Sequence, residues 1–360
     1  MNSKYFIIII LLIIVINKLY YTETFEHFSE VKRFTTDRAP DVIMPFGNVK
    51  DENGENLNVI LLNTYFREKE HKDKFLEYKK KGFPFIGSAC YLSFPAPTLN
   101  PHDDQYYKEH PEDTYVDWCE GWCHCFRNPE KYIVSKNNKV SKQNKDIPKL
   151  LCSVSDFPDY KHIKPDPTIK KKYDFIYSCP SDNDECTAGW QSWNRNWELA
   201  KKCLPIMCKK YKMNGIIIGR KNCDYTDLCT DRIKIVDYTD DWNQFLTYMK
   251  ESRFLFCPNI EDASPRVITE AMCCDIPVLL NKNILGGWKY IKSGVSGEFF
   301  TSEKDISKAL DMITKQNYTP RKHFMEISTD KVYSPLFKDF LKKCIPNLLP
   351  CEKATLGFSS

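Results

Sequence analysis

The chain is 360 residues long, 42% apolar and 28% charged, so it has the length for two ordinary domains and the apolar content for a sizeable core. Lys and Arg total 52 against 48 Asp and Glu, and the resulting net charge of +4 is too small to argue for a nucleic-acid footprint. Its 16 cysteines are many for a reducing cytosol.

The chain opens on Tyr5–Ile16, an unbroken apolar run rich in Ile, with Lys4 before it and Asn17 and Lys18 behind. Continued through Tyr21 it approaches the roughly 20 residues of a membrane span. No small-residue cleavage site follows, and the Tyr pair suits a membrane interface. Residues 1–21 therefore read as a signal-anchor or transmembrane segment, a single-pass membrane attachment with the folded part C-terminal to it. A cleaved signal peptide, which would release the protein into a secretory lumen, is the alternative. Residues 22–55 are polar and irregular and read as a stem.

A first lobe is expected over 56–165, with strands at Asn58–Leu62 and Phe83–Gly87 around a helix at Arg67–Lys81. Residues 95–148 are rich in Pro, Asp and aromatics and read as loops, before Lys149–Val154 returns as a strand. Cys119, Cys123, His124 and Cys125 are zinc-type ligands, but CxxxCxC has no matching second pair, which favours disulfide or packing roles.

A basic, Pro-containing linker at Lys161–Lys172 leads to a second lobe over 173–330. Strands Tyr173–Cys179, Gly215–Ile218, Ile233–Val236, Phe254–Cys257 and Pro277–Leu280 alternate with helices Arg195–Tyr211 and Trp242–Lys250 and a third opening near Ser264. This alternation implies α/β architecture with a parallel, doubly wound sheet. There is no GxGxxG fingerprint and no P-loop, which disfavours a nicotinamide enzyme or an NTPase. Beyond Gly297 helices are expected at Glu303–Ile313 and Ser334–Cys344, the latter in a terminal segment, 331–360. Cys179 with Cys186, Cys203 with Cys208 and Cys223 with Cys229 are close in sequence, and an oxidising lumen would explain them as disulfides. Cys257, Cys273 and Cys274 fall at core positions.

Ser252–Ile291 is the most informative stretch. A strand ends at Pro258 and Asn259, Ser264 suits an N-cap and Pro265 the first helical position, so a helix should run through Glu270 with its free N–H groups facing the loop. Such a helix start attracts anions. Gly286 and Gly287 make a permissive turn after the next strand. Arg266 and Glu270, four apart, also fit an ordinary helix-surface ion pair. Arg220 and Lys221 follow the strand GIIIG at an edge where open α/β sheets bind ligands, as phosphate contacts or as loop charges.

The segment from Asp262 to Glu270, followed by Ala271, Met272 and the PVLL strand, resembles the donor-binding segment of glycosyltransferases with the B-type double-Rossmann fold, group 1-like and exostosin-like. Their signature is two carboxylates separated by seven residues. The resemblance covers 173–300 and implies two Rossmann-like lobes, with a nucleotide-sugar donor in the second and a glycan, protein or lipid acceptor in the cleft. It assigns Glu270 to the ribose hydroxyls and Asp262, or Glu261 with a one-residue shift, to the donor sugar. Ser264 to Arg266 and Arg195 fall to the diphosphate, and Gly286 and Gly287 shape the site. Trp288, Lys289 and Tyr290 stand where members commonly carry an acidic residue.

The implied activity is glycosyl transfer without a metal ion, with no cofactor beyond the nucleotide-sugar substrate and no nucleic-acid partner. Asp103 with Asp104 and Asp240 with Asp241 read as solvated loop residues rather than metal ligands. An inverting enzyme would need a base from the first lobe, for which His102, Asp103, His110, Asp117, Glu120 and His124 are eligible by type. A retaining one needs none if the departing phosphate takes the proton. Trp118 and Trp122 suit a sugar face or the core. The alternative is a catalytically inactive, membrane-attached protein that binds nucleotide sugars or carbohydrate.

Overall fold

The hydrophobic strands of this chain sort into two separate sheets, each buried on both faces. The computed structural model describes residues 34–90, 94–95, 109–110, 113–135, 147–223, 225, 228–229 and 231–357. The expected anchor, the start of the stem, and His102, Asp103 and Asp104 lie outside the described residues. Among the described residues no helix is long and apolar enough to cross a membrane.

The first sheet takes β1 (Phe46–Lys50), β2 (Asn56–Leu62), β3 (Phe85–Ala89), β4 (Gly121–His124), β5 (Lys149–Leu151) and the last strand, β12 (Thr355–Gly357), in the order β12-β1-β2-β3-β4-β5. From β2 to β5 the pairing is parallel, and β1 is antiparallel to both its neighbours. Strand β2 shows why the sheet holds. Ile60 and Leu62 join one core with Phe75 and Tyr78 of α1 (Lys69–Lys80), and Leu57, Val59 and Leu61 point to the opposite core. A short helix, α2 (Tyr115–Trp118), packs on the α1 side.

Two expectations are corrected here. The stretch read as stem contributes β1, so the folded lobe begins before residue 56. The stretch read as loops holds β4, four residues reading Gly-Trp-Cys-His, too short and too mixed to show a strand pattern. A Cβ at Gly121 would lie 2.5 Å from Cys344 Sγ and 2.8 Å from Phe340 Cζ, so this glycine admits the C-terminal helix against the sheet.

The second sheet is fully parallel, with β6 (Tyr173–Ser178), β7 (Gly215–Ile218), β8 (Ile233–Val236), β9 (Ser252–Cys257), β10 (Val278–Asn281) and β11 (Gly297–Phe300) in the order β11-β10-β9-β6-β7-β8. Its faces are covered by α3 (Trp190–Asn194), α4 (Trp197–Pro205), α5 (Trp242–Lys250), α6 (Arg266–Cys273), α7 (Ile306–Ile313) and α8 (Pro320–Ile327). The chain runs outward through β6, β7 and β8 and then returns to place β9 on the other side of β6. That reversal opens a crevice at the carboxyl ends of β6 and β9, where doubly wound sheets bind ligands. A final helix, α9 (Asp330–Cys344), crosses back and buries Phe337, Phe340 and Leu341 on the first sheet. The two-lobed α/β architecture is thus the one expected.

Disulfides join Cys186 to Cys223 and Cys208 to Cys229. The partners are not the cysteines nearest in sequence: Cys179 and Cys203 are buried thiols, as are Cys257, Cys273 and Cys274. Cys119, Cys123 and Cys125 are also buried thiols, and no metal-binding group of His, Cys, Asp or Glu occurs among the described residues.

Candidate donor site between the lobes

The loop Pro258–Pro265 leaves β9 at the crevice, and three contacts pin it. Gly286 donates its amide to Asp262 O at 2.9 Å, and Leu285 donates to Ile260 O at 2.8 Å. A Cβ at Gly286 would lie 1.8 Å from Ala263 O, so only glycine allows this approach. Gly287 has φ +77°, and its α-carbon faces Pro265 and Ile268 at the helix start. The double glycine therefore docks one turn onto the carboxylate loop. Ala263 itself packs into the first lobe's core, which brings this loop to the seam between the lobes.

Asp262 and Arg195 meet there as an ion pair, with side chains 11% and 26% exposed. Asn259 donates to the same carboxylate oxygen at 3.0 Å, and Asn194 Oδ1 accepts from Arg195 at 2.5 Å. Burial works against the guanidinium charge, but Asp262 and the surrounding thiols and Tyr177 outweigh it and raise the pKa of Arg195. Arg195 ends α3 rather than starting a long helix; Asn196, with φ 51°, breaks the chain before α4. Glu261, half-buried, has its carboxyl pKa raised by burial.

Helix α6 begins at Arg266, with Pro265 as its N-cap. Ser264, expected to cap it, instead hydrogen-bonds Ser155 of the first lobe, hydroxyl to hydroxyl at 2.8 Å. Glu270 does not pair with Arg266. It accepts the indole N–H of Trp242 at 3.2 Å, and burial raises its pKa against the opposing effects of that bond and of Arg266. Arg266, Thr269, Glu270 and Trp242 line a cavity of about 320 Å³, closed on its other side by Ser155, Phe157 and Pro158.

Arg220 is not a free phosphate contact. Its side chain is 0% exposed, paired with Asp182 at 3.4 Å, bonded to Ser192 at 2.8 Å and stacked over Trp197. Lys221 is exposed and paired with Asp237 at 2.8 Å. Trp122 is fully buried, and Trp118 stacks on Phe75 at 4.9 Å, so both serve the core rather than a sugar platform.

Among the first-lobe acids and bases, Asp117 accepts from Ser135 and Glu120 pairs with Lys79 at 3.7 Å. His124 ends β4 at the carboxyl edge of its sheet, 6% exposed, with Nδ1 lacking a hydrogen-bond partner. Burial, aided by the charge of Lys289, lowers its pKa to about 4 and keeps the imidazole neutral. No local pattern distinguished His124 from the other eligible residues, and none marked Trp242, Asn194 or Asn259 as partners of the site.

The three residues after the double glycine form the seam. Trp288 donates to Cys125 O at 3.0 Å and lies under Arg127, which donates to Ile284 O and Lys282 O at 2.7 and 2.8 Å. Lys289 pairs with buried Asp156 at 2.6 Å, and Asp156 also accepts from Tyr290 at 2.9 Å and Ser328 at 2.7 Å.

Two Rossmann-like lobes with a carboxylate loop and a helix start at their seam define the architecture of a B-type glycosyltransferase. Residues 192–329, most of the second lobe, match the family model of glycosyl transferases group 1. No curated protein matches the sequence. Among solved structures the chain is similar in fold to the pneumococcal O-GlcNAc transferase GtfA, solved with UDP and GlcNAc, at 11% identity and TM-score 0.52, covering 78% of this chain and 56% of that one. Anabaena HepE, solved with UDP and glucose, aligns at 13% identity and TM-score 0.51 over 78% and 77% of the two chains. TarM aligns at 11% identity and TM-score 0.50 over 78% and 54%. The chain thus spans little more than half the length of TarM and GtfA.

Proposed function

We propose that this protein is a glycosyltransferase that moves a sugar from a nucleotide-sugar donor to a glycan, protein or lipid acceptor in the cleft. The observation that carries this reading is the meeting of Arg195, Asp262 and the start of α6 at the switch point of the second sheet, with Glu270 one helical stretch away in an adjoining cavity. The spacing suits an extended donor. Glu270 accepts ribose hydroxyls in the cavity, the helix start and Arg195 hold the diphosphate, and Asp262 orients the sugar.

Arg195 and the helix start place positive charge where the leaving diphosphate gains negative charge, which supports a reaction that needs no metal ion. His124, neutral and unpartnered at Nδ1, is the first-lobe residue best suited to contact the transferring sugar or its acceptor. Attachment to a membrane through residues 1–21, with the lobes in an oxidising lumen, is supported by the apolar run Tyr5–Ile16 and by the two disulfides.

The test is a screen of UDP-, GDP- and CMP-sugars for binding, hydrolysis and transfer, with a Glu270→Ala variant beside the wild type. Turnover of one donor, lost in the variant, supports the reading and names the nucleotide. Tight donor binding with neither hydrolysis nor transfer to any acceptor supports the inactive binding protein instead, and no binding by folded protein overturns the site.

A further inference from the structure

A second cavity, of about 290 Å³, lies on the far side of the Asp156–Lys289 pair. Leu151 of β5, the Lys289–Lys292 segment, His323 of α8 and Tyr333 of α9 line it, so it draws on both lobes and on the returning helix. Its lining contains two lysines and a histidine and no carboxylate. Lys289 is already neutralised by Asp156 and donates to the Tyr333 hydroxyl at 3.0 Å, which leaves that hydroxyl's own proton available to a ligand. Lys292 and the His323 ring make no side-chain hydrogen bond or ion pair among the described residues.

We propose that this cavity is a ligand site, separate from the donor site, for a single anionic group, phosphate or carboxylate, on a molecule no larger than a sugar. The chemistry follows from what is unpaired. Lys292 supplies an exposed ammonium at the rim, His323 a ring N–H, and Tyr333 a hydroxyl donor, while the half-buried Leu151 and Ile327 give an apolar wall. Burial and the nearby charge of Lys292 lower the pKa of His323, opposed by Glu326, the acidic residue that acts on it. A bound anion would reverse that balance. The cavity volume admits a hexose phosphate, and its lining shares no residue with the cavity that holds Glu270, which separates the two ligands by place.

The test is a titration of the full chain with inorganic phosphate, with a hexose 6-phosphate and with the neutral hexose, all in saturating UDP. The readout is the imidazole resonance of His323, assigned with His323→Gln. A saturable shift with either phosphate and none with the neutral hexose is expected, weakened about tenfold in Lys292→Ala by loss of one charge-assisted contact and retained in Lys292→Arg. Tighter binding of the hexose phosphate would identify a sugar-phosphate ligand, and equal binding a free phosphate; both support the site. The proposal is overturned by the absence of a saturable shift, by unchanged affinity in Lys292→Ala, or by a shift seen only when UDP is left out. Lys292 is exposed, so its replacement leaves the fold intact.

Discussion

The guanidinium of Arg195 is held by the carboxylate of Asp262, so the cation suited to the donor diphosphate and the carboxylate suited to the donor sugar form one unit before any ligand arrives. On the proposed roles, a diphosphate that engages Arg195 must compete with Asp262 and would free that carboxylate for the sugar. Asp262→Asn is therefore expected to tighten UDP binding while lowering transfer by about a hundredfold, the scale of losing a positioned polar group from a reacting centre. Calorimetry with UDP and steady-state transfer rates check the two effects. Weaker UDP binding in the variant would show that the pair holds the site together rather than gating it.

Glu270→Gln keeps the shape of the cavity and removes the charge that, on the proposed role, accepts ribose hydroxyls. Donor affinity should fall about 10- to 100-fold, the range for losing charge-assisted hydrogen bonds, with kcat at saturation changed less. Because burial raises the Glu270 pKa, wild-type donor binding should weaken on acidification above the usual glutamate range, as the carboxyl takes up its proton and loses the charge that strengthens its acceptance. A pH series of UDP dissociation constants, flat in the variant, checks it.

Gly286→Ala forces a methyl onto the Ala263 carbonyl, 1.8 Å from the ideal Cβ position. The carboxylate loop must move, and a loss of about 1–3 kcal/mol in stability is expected, with donor affinity lost at the same time. Thermal unfolding and UDP binding on the same sample measure both. A stable variant with normal affinity would show that this close approach is dispensable.

His124 gives a pH signature. Its pKa is lowered from 6.5 to about 4, so between these values the unfolded chain binds a proton that the folded chain refuses, and stability falls as the pH drops through that window. His124→Gln should flatten the dependence over the same window and, on the proposed role, reduce transfer. Denaturant unfolding at several pH values checks the first part. An unchanged slope would place the imidazole in a wetter environment.

Asp156 and Lys289 test how the lobes are held. Their side chains are 0% and 11% exposed, and Lys289→Met leaves a buried carboxylate with only neutral donors. The cost should be about 3–5 kcal/mol, with most of it recovered in the Asp156→Asn, Lys289→Met double variant, because the penalty belongs to the unpaired charge. Equal destabilisation of single and double variants would refute this account.

Local pattern determined the elements of the second lobe. GIII is buried throughout and SRFLFC everywhere but Arg253, as parallel strands covered on both faces require, while IKIV at the sheet edge keeps the apolar pattern with Lys234 exposed. The same pattern outlined the strand–loop–helix–strand unit that carries Asp262, Glu270, Gly286 and Gly287, and the resemblance to the B-type glycosyltransferase signature singled out its two carboxylates. Strands β1 and β4 were not legible, because their stability comes from partners far along the chain. Gly357 pairs with Asn48, and Cys344 fills the space above Gly121.

Only the tertiary structure decided which charges are available for chemistry. Arg195 and Arg220 look alike in sequence, each a cation beside a sheet edge, yet one reaches the crevice with Asp262 and the other is sealed among Asp182, Ser192 and Trp197. A residue type and its spacing specify what a side chain can do, while the dielectric and the partners around it, which fix whether it does so, are set by segments that meet only on folding.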